Sequence, residues 1–454
     1  MWRSPSRCRN SKGASQMDKY PYEVKQKLKD ILVRTDKIAW LFSKNPTKDF
    51  SRHRKLPFHK LAETMIGMEG GSLTHEMLNC FHFSEHTPSV PAFIQQRSKL
   101  LPEAMAFVFS EVVHAFPCGA GVDGYRLIAC DGSDLHYAAN PNEPENYFTV
   151  SEESRGYNLL HLNALYDLGS QRYVDALVQP RRQADEVGAF VSMIDRFPFD
   201  ERVIFTADRG YESYNVLAHI EQRAMRYLIR VKQPMSSGII RGLKLPQNTA
   251  FDLDFHIVLT RKQTKQVKAN LDLYRILPKD SRFDFCDLEY QLYYPLDFRV
   301  VSVEISPGVW EYLITNLDRD SFPPTSLKKM YHQRWGIETA FRDLKHTIGL
   351  EHFHSKRAEF IAQEVFARLI LYNLCELVAS HAAIFNRTAS HVYQLNFSAA
   401  VHIVRHALFF LKPDDPPPDV VSLIRKFLLP VRPDRSNPRK VGVRSAVCFL
   451  YRVA

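Results

Sequence analysis

Between Tyr125 and Lys232 the chain passes through three apolar, strand-like runs in succession, YRLIACDGS, YNLLHLNALYDL and QRYVDALVQP. It then alternates: a helical DEVGAFVSMIDRF, a buried strand RVIFTADRG, a helical SYNVLAHIEQRA and a strand RYLIRVK. Three consecutive strands predict a hairpin meander, and strands separated by helices predict crossover connections. Together they commit this stretch to a mixed α/β sheet.

Two of these strands end in an acid, Asp131 in LIACDGSD and Asp208 in IFTADRG. Open α/β sheets place their chemistry in the crevice outside the carboxyl ends of strands. An aspartate followed within two residues by glycine is also an ordinary turn signal, so either acid alone carries little. Asp134, Asp167, Asp175 and Asp195 compete for the same role, but they fall inside turns or mid-segment.

A chain of 454 residues implies two or three domains, and 45% hydrophobic with 12% aromatic residues excludes global disorder. The pattern divides it into a basic, disordered stretch 1–19, a helical domain 20–119 that suits a DNA-binding module or an ordinary helical cap, and core segments 120–234 and 321–390. Between the core segments lies a β-rich insertion, 235–320, and a helical and basic region, 391–454, closes the chain. Residues 1–60 hold sixteen Lys and Arg against five Asp and Glu, so the net charge of +10 is an amino-terminal property. A second cluster, six bases against one acid, lies between Arg432 and Arg452. Such patches predict a polyanion partner, with a solvated, flexible end as the alternative. Met17 is a candidate start beside Met1. Seven scattered cysteines without a C-x-x-C spacing fit a reducing compartment and no structural zinc. No apolar run reaches 18 residues, so no membrane span or secretion signal is expected.

The segment YHQRWGIETAFRDLK, residues 331–345, reads as part of one helix over 325–348 that starts after Pro323-Pro324 and stops at Gly349. At about 100° per residue, Tyr331, Arg334, Glu338, Arg342 and Lys345 share one stripe, while Met330, Ile337, Phe341, Leu344 and Ile348 form a neighbouring apolar face. A solvated stripe with an i,i+4 pair between Glu338 and Arg342 is the ordinary reading. Tyr, Arg and Lys around one carboxylate are also the equipment for gripping a phosphate beside a metal ion. With Asp131 and Asp208, Glu338 completes a carboxylate triad. Three acids in one cleft repel one another, and a divalent cation with oxygen ligands, Mg²⁺ or Mn²⁺, holds them ionised.

Asp131-Gly132-Ser133, Asp208-Arg209-Gly210-Tyr211 and the spacing Tyr331-x2-Arg334-x3-Glu338-x6-Lys345 resemble the three acidic motifs of DDE transposases of the bacterial insertion-sequence-four group. The last of these matches that group's Y-R-E-K signature without a gap, and the tail RPDRSNPRK is similar too. The resemblance runs from Tyr125 to Leu350. It implies an RNase H-like core interrupted by the β-rich insertion, in which Asp131, Asp208 and Glu338 ligate two Mg²⁺ ions, with Mn²⁺ able to substitute. Water would nick the element's end, the freed 3′-hydroxyl would form a hairpin, and strand transfer into target DNA would follow. The resemblance assigns Tyr331, Arg334 and Lys345 to the phosphates at the element's end, with Arg342 a further candidate. Trp310, 21 residues before Tyr331, resembles a tryptophan that stacks on a flipped base; the alternative is a core aromatic on a strand. The implied partners are double-stranded DNA at the element ends and target and a second copy of the chain, in the bacterial cytoplasm at the nucleoid, with no membrane and no small-molecule substrate. A non-catalytic DNA-binding repressor or inactive relic, another RNase H-like nuclease and a two-carboxylate glycosidase remain alternatives, the last leaving the basic stripe unexplained. His352-Phe353-His354 reads as surface structure rather than a metal pair.

Overall fold

The computed structural model describes residues 17–51, 55–119, 121, 124–149, 151, 156–198, 202–382, 393–412 and 414–431. The basic first sixteen residues and the cluster from Arg432 to Arg452 lie outside the described residues. The helices in chain order begin with α1 (Tyr20–Asp36), α2 (Phe58–Gly67), α3 (Leu73–Cys80), α4 (Val90–Arg97) and α5 (Glu103–Ala115). Then follow α6 (Glu186–Arg196), α7 (Tyr214–Gln222), α8 (Lys265–Ala269), α9 (Pro324–Gln333) and α10 (Trp335–His346). The last are α11 (Ala358–Ala382), α12 (Phe397–Arg405) and α13 (Val420–Lys426). The strands are β1 (Arg126–Tyr137), β2 (Tyr147–Phe148), β3 (Tyr157–Asp167), β4 (Arg172–Pro180) and β5 (Val203–Ala207). They continue with β6 (Arg226–Val231), β7 (Phe251–Thr260), β8 (Tyr274–Ile276), β9 (Tyr293–Ser306) and β10 (Val309–Thr315). These ten strands form one mixed sheet. The chain divides into two compact units, the first made of Met1–Pro117, Leu135–Leu160 and Phe341–Ala454, the second of Cys118–Asp134 and His161–Ala340.

The first unit is largely helical. Ser72 and Ser89 cap α3 and α4 by accepting from the amides of His75 and Ala92. Its centre is α11, a helix long and apolar enough to cross a membrane by length and composition, yet 83% buried over that window inside the protein. The reason it suits an interior is ionic as well as apolar. Arg97 of α4 donates to Glu364 Oε1 at 2.8 Å and to Gln363 Oε1 at 2.8 Å, with all three side chains buried. Arg368 donates to the carbonyls of Met68 and Glu69, and Arg405 of α12 reaches Glu69 Oε1 at 2.8 Å. His354, expected at the surface, is instead inside this network: its side chain is 4% exposed and its Nδ1 lies 3.2 Å from Glu364 Oε2. Although burial alone would lower it, Glu364 and Glu76 raise the His354 imidazole to about 9, and Glu364 in turn is held well below the usual carboxylate range.

In the second unit, β1 pairs in parallel with β5 and β5 with β6. β10 joins β6 antiparallel, and β9 and β7 follow in antiparallel register, so the strands of residues 235–320 extend this sheet. The runs LEYQLYYPL and FRVVSVEI merge into the single strand β9. Pro295 is tolerated there because β10 pairs only with Arg299–Ser306, leaving the proline's stretch as an edge on that side. Side chains alternate across the sheet. On one face Ile128, Phe205, Tyr227, Ile229 and Ile314 pack under α6 and α7, with Phe190, Ile194, Val216 and Ile220. On the other, Leu127, Ile204, Leu228 and Leu313 pack against Leu327 and Tyr331 of α9.

Candidate active site

The register of β1 and β5 sets the geometry of the acids. Cys130 stands opposite Ala207, so the next residues, Asp131 and Asp208, leave adjacent parallel strands side by side. Asp131 follows Leu127 and Ala129 in alternation, and Asp208 follows Ile204 and Thr206, which aims both at the face covered by α9. β6 continues the row: Ala207 pairs with Ile229, and Arg230 Nη1 lies 3.5 Å from Asp208 Oδ1. β10 adds Glu311, whose Oε1 is 3.4 Å from Arg230 Nε. Asp131 was expected at a strand end; β1 in fact runs on to Tyr137, and what ends at Cys130 is its pairing with β5.

The helix expected over 325–348 is two helices interrupted at Arg334. There the amide of Arg334 bonds back to Tyr331 and that of Ile337 to Arg334, each spanning three residues, so the chain tightens without losing its helical stripe. The stripe delivers two groups, Tyr331 and Arg334, to the acids. Tyr331 Oη donates to Asp208 Oδ1 at 3.3 Å. Arg334 Nη2 donates to Glu338 Oε1 at 2.8 Å, while its Nη1 stands 3.9 Å from Asp131 Oδ2. Tyr331 and Arg334 are only 2% and 3% exposed, and the guanidinium lies over the rings of Tyr331 and Trp335.

Electrostatics report the same convergence. Burial, with repulsion from Glu338 and Asp208, pushes the Asp131 carboxyl up to about 6 in spite of the Gly132 amide and Arg334. Burial acts against the Arg334 charge, but Tyr331, Glu338, Asp131 and Asp208 together hold its pKa above the ordinary value. Glu311 is raised by burial and by Asp208, with Arg230 opposing.

The donor set around this point is three carboxylates without a thiolate, which suits Mg²⁺ or Mn²⁺ rather than zinc. Among the described residues no three acidic, His or Cys side chains stand as a ready ligand cage. Arg334 bridges Asp131 and Glu338 in its place. The competing acids are engaged elsewhere: Asp167 with Arg126, Asp175 with Arg196 and Asp195 with His219. Arg342 and Lys345 follow on α10, four and seven residues beyond Glu338; Arg342 is exposed, with its Nε 3.9 Å from Asp343 Oδ1. Trp310 packs against the core on the α6 and α7 side, the face opposite Glu311. Arg230 and Glu311 were passed over in the sequence, although a charge inside each of RYLIRVK and VWEYLIT was a signal.

The family described as transposase DDE domain matches residues 123–374, more than half of the chain. The chain belongs to that family. In this transposase-family chain the match takes in Asp131, Asp208 and Glu338 together with the two helices that meet at Arg334. The transposase InsG for insertion sequence element IS4, from Escherichia coli (strain K12), is 28% identical over 159 residues, which cover 32% of this chain and 35% of that relative's length. A cryo-EM structure of the piggyBac transposase synaptic complex with hairpin DNA is similar at a TM-score of 0.44 and 11% identity, over 89% of this chain and 81% of that one.

Proposed function

We propose that the chain is the transposase of a bacterial insertion sequence, built on an RNase H-like core, which binds terminal inverted repeats as a dimer and performs metal-dependent cleavage and strand transfer. The observation that carries this reading is the placement of Asp131, Asp208 and Glu338 on one face, with Arg334 between two of them. In this proposal the three carboxylates hold the divalent cations. Bound there, such ions activate a water or 3′-hydroxyl and stabilise the leaving oxygen of phosphoryl transfer. Arg334 offers a planar fork and Lys345 a point charge to the phosphates at the element's end, with Tyr331 supplying a hydroxyl and Arg342 a further cation. Arg230 holds Asp208 in place from the neighbouring strand. Trp310, facing the other side of its strand, is left out of the stacking role.

The test is cleavage of a duplex ending in the element's own inverted repeat by the full chain, with Mg²⁺ or Mn²⁺ and with chelator. Metal-dependent nicking at the repeat, with a hairpin product on a denaturing gel, is expected. Glu338→Ala should lose cleavage and keep repeat binding. Binding without cleavage by the unsubstituted chain would favour a repressor or relic and overturn the catalytic reading.

A further inference from the structure

Behind the first acid lies a second, buried arrangement. Gly132 follows Asp131, and alternation turns its Cα away from the acid face toward the side packed by α6 and α7. There a Cβ on residue 132 would meet His161 Nε2 at 2.5 Å and Tyr211 Oη at 3.3 Å. His161 comes from β3, on the same side as Leu165, and Tyr211 from the turn that starts at Asp208, its ring edge-on to Phe190. Both polar atoms are buried, and neither has a partner in good hydrogen-bond geometry. The imidazole is fixed from outside. Its Nδ1 is 2.6 Å from Asp134 Oδ1, which also accepts from Arg181 Nε at 2.9 Å, and Glu186 Oε1 lies 3.3 Å from Nε2. The His161 side chain is 4% exposed, whereas the Asp134 and Glu186 side chains that hold it are 36% and 41% exposed.

Burying an imidazole and a phenol against a glycine, with neither inner polar atom in good hydrogen-bond geometry, costs stability that an apolar filling would not. The position of that cost, directly beneath the acid and shared between the Asp131 strand and the Asp208 turn, indicates what it secures. We propose that His161 is a positioning residue for Asp131: with Tyr211 it forms a buttress under Gly132 that fixes the acid's strand relative to the Asp208 turn. This rests on the proposed function, since the buttress matters only if Asp131 and Asp208 share an ion. The glycine leaves this space open: a methyl at 132 would collide with His161 Nε2 and press on Tyr211 Oη.

The experiment measures Mn²⁺ binding to the full chain by calorimetry, alongside thermal melting and gel-shift of the terminal repeat. His161→Ala is expected to weaken Mn²⁺ by about 10-fold, the size seen when groups supporting a ligand are removed, with repeat binding unchanged. His161→Asn, whose amide replaces Nδ1 toward Asp134, should recover most of the loss. Gly132→Ala leaves the imidazole's ion pairs in the chain and should weaken Mn²⁺ likewise, so a His161→Ala chain that fails to fold does not remove the test. In the double variant the two losses should not add, because the ring the new methyl strikes is gone. Unchanged Mn²⁺ affinity in folded His161→Ala or Gly132→Ala, or simple additivity of the two, overturns the proposal. A wild-type chain that binds no Mn²⁺ overturns the parent reading instead.

Discussion

Cys130 of β1 stands opposite Ala207 of β5, and that pairing places the residues after them, Asp131 and Asp208, on neighbouring strands at the same height and on the same face. A slip of one residue would turn one acid to the opposite side of the sheet. Both pairing residues are fully buried, so the register is held by packing.

Ala207→Leu should therefore act on both stability and chemistry. Overpacking at a fully buried site costs about 1–3 kcal/mol, measurable by urea denaturation. The accompanying shift of β5 should reduce cleavage of the terminal repeat more than it reduces repeat binding.

Arg334→Lys tests the bridging guanidinium. A lysine keeps the charge but loses the fork that faces Asp131 and Glu338 together. Loss of a charge-assisted hydrogen bond of about 1.5–3 kcal/mol corresponds to a fall in cleavage rate of about 10- to 100-fold. An unchanged rate would remove Arg334 from the proposed site.

His354 predicts a pH dependence of stability in the first unit. Its imidazole is raised from 6.5 to about 9, so the stability this adds is fully present below pH 6.5 and is lost as pH rises through about 9. The shift corresponds to roughly 3 kcal/mol at most. Urea melts of the wild type at pH 6 and pH 9.5 should differ in this direction, and His354→Gln should flatten the difference.

The Arg97–Glu364 pair gives a further check. Arg97→Leu leaves Glu364 buried beside His354 alone and should cost about 3–5 kcal/mol. The double variant Arg97→Leu/Glu364→Leu should recover part of that cost, since it removes the stranded carboxylate as well as its partner. Equal destabilisation by single and double variants would refute the pairing.

The order of strands and helices from Tyr125 to Lys232 was legible because apolar periodicity is local, and the spacing of Tyr331, Arg334 and Glu338 placed them on a stripe that survives the interruption at the arginine. The interruption itself was hidden, since a tightened turn keeps almost the same angular pattern as a continuous helix. The row of Arg230 and Glu311 could not be read before strand order was known, because β6 and β10 meet only after about eighty intervening residues. His354 was misjudged for the same reason: its partners Glu76 and Glu364 are set by packing between distant segments.

Each of the two units is stitched from separated stretches of chain, three for one and two for the other. No single truncation of the gene can therefore release either of them whole. A fragment ending at Ala340 would still encode all three acids while depriving the helical unit of α11, its central beam; frameshifts late in the reading frame should thus yield polypeptides that carry the motif and cannot mature.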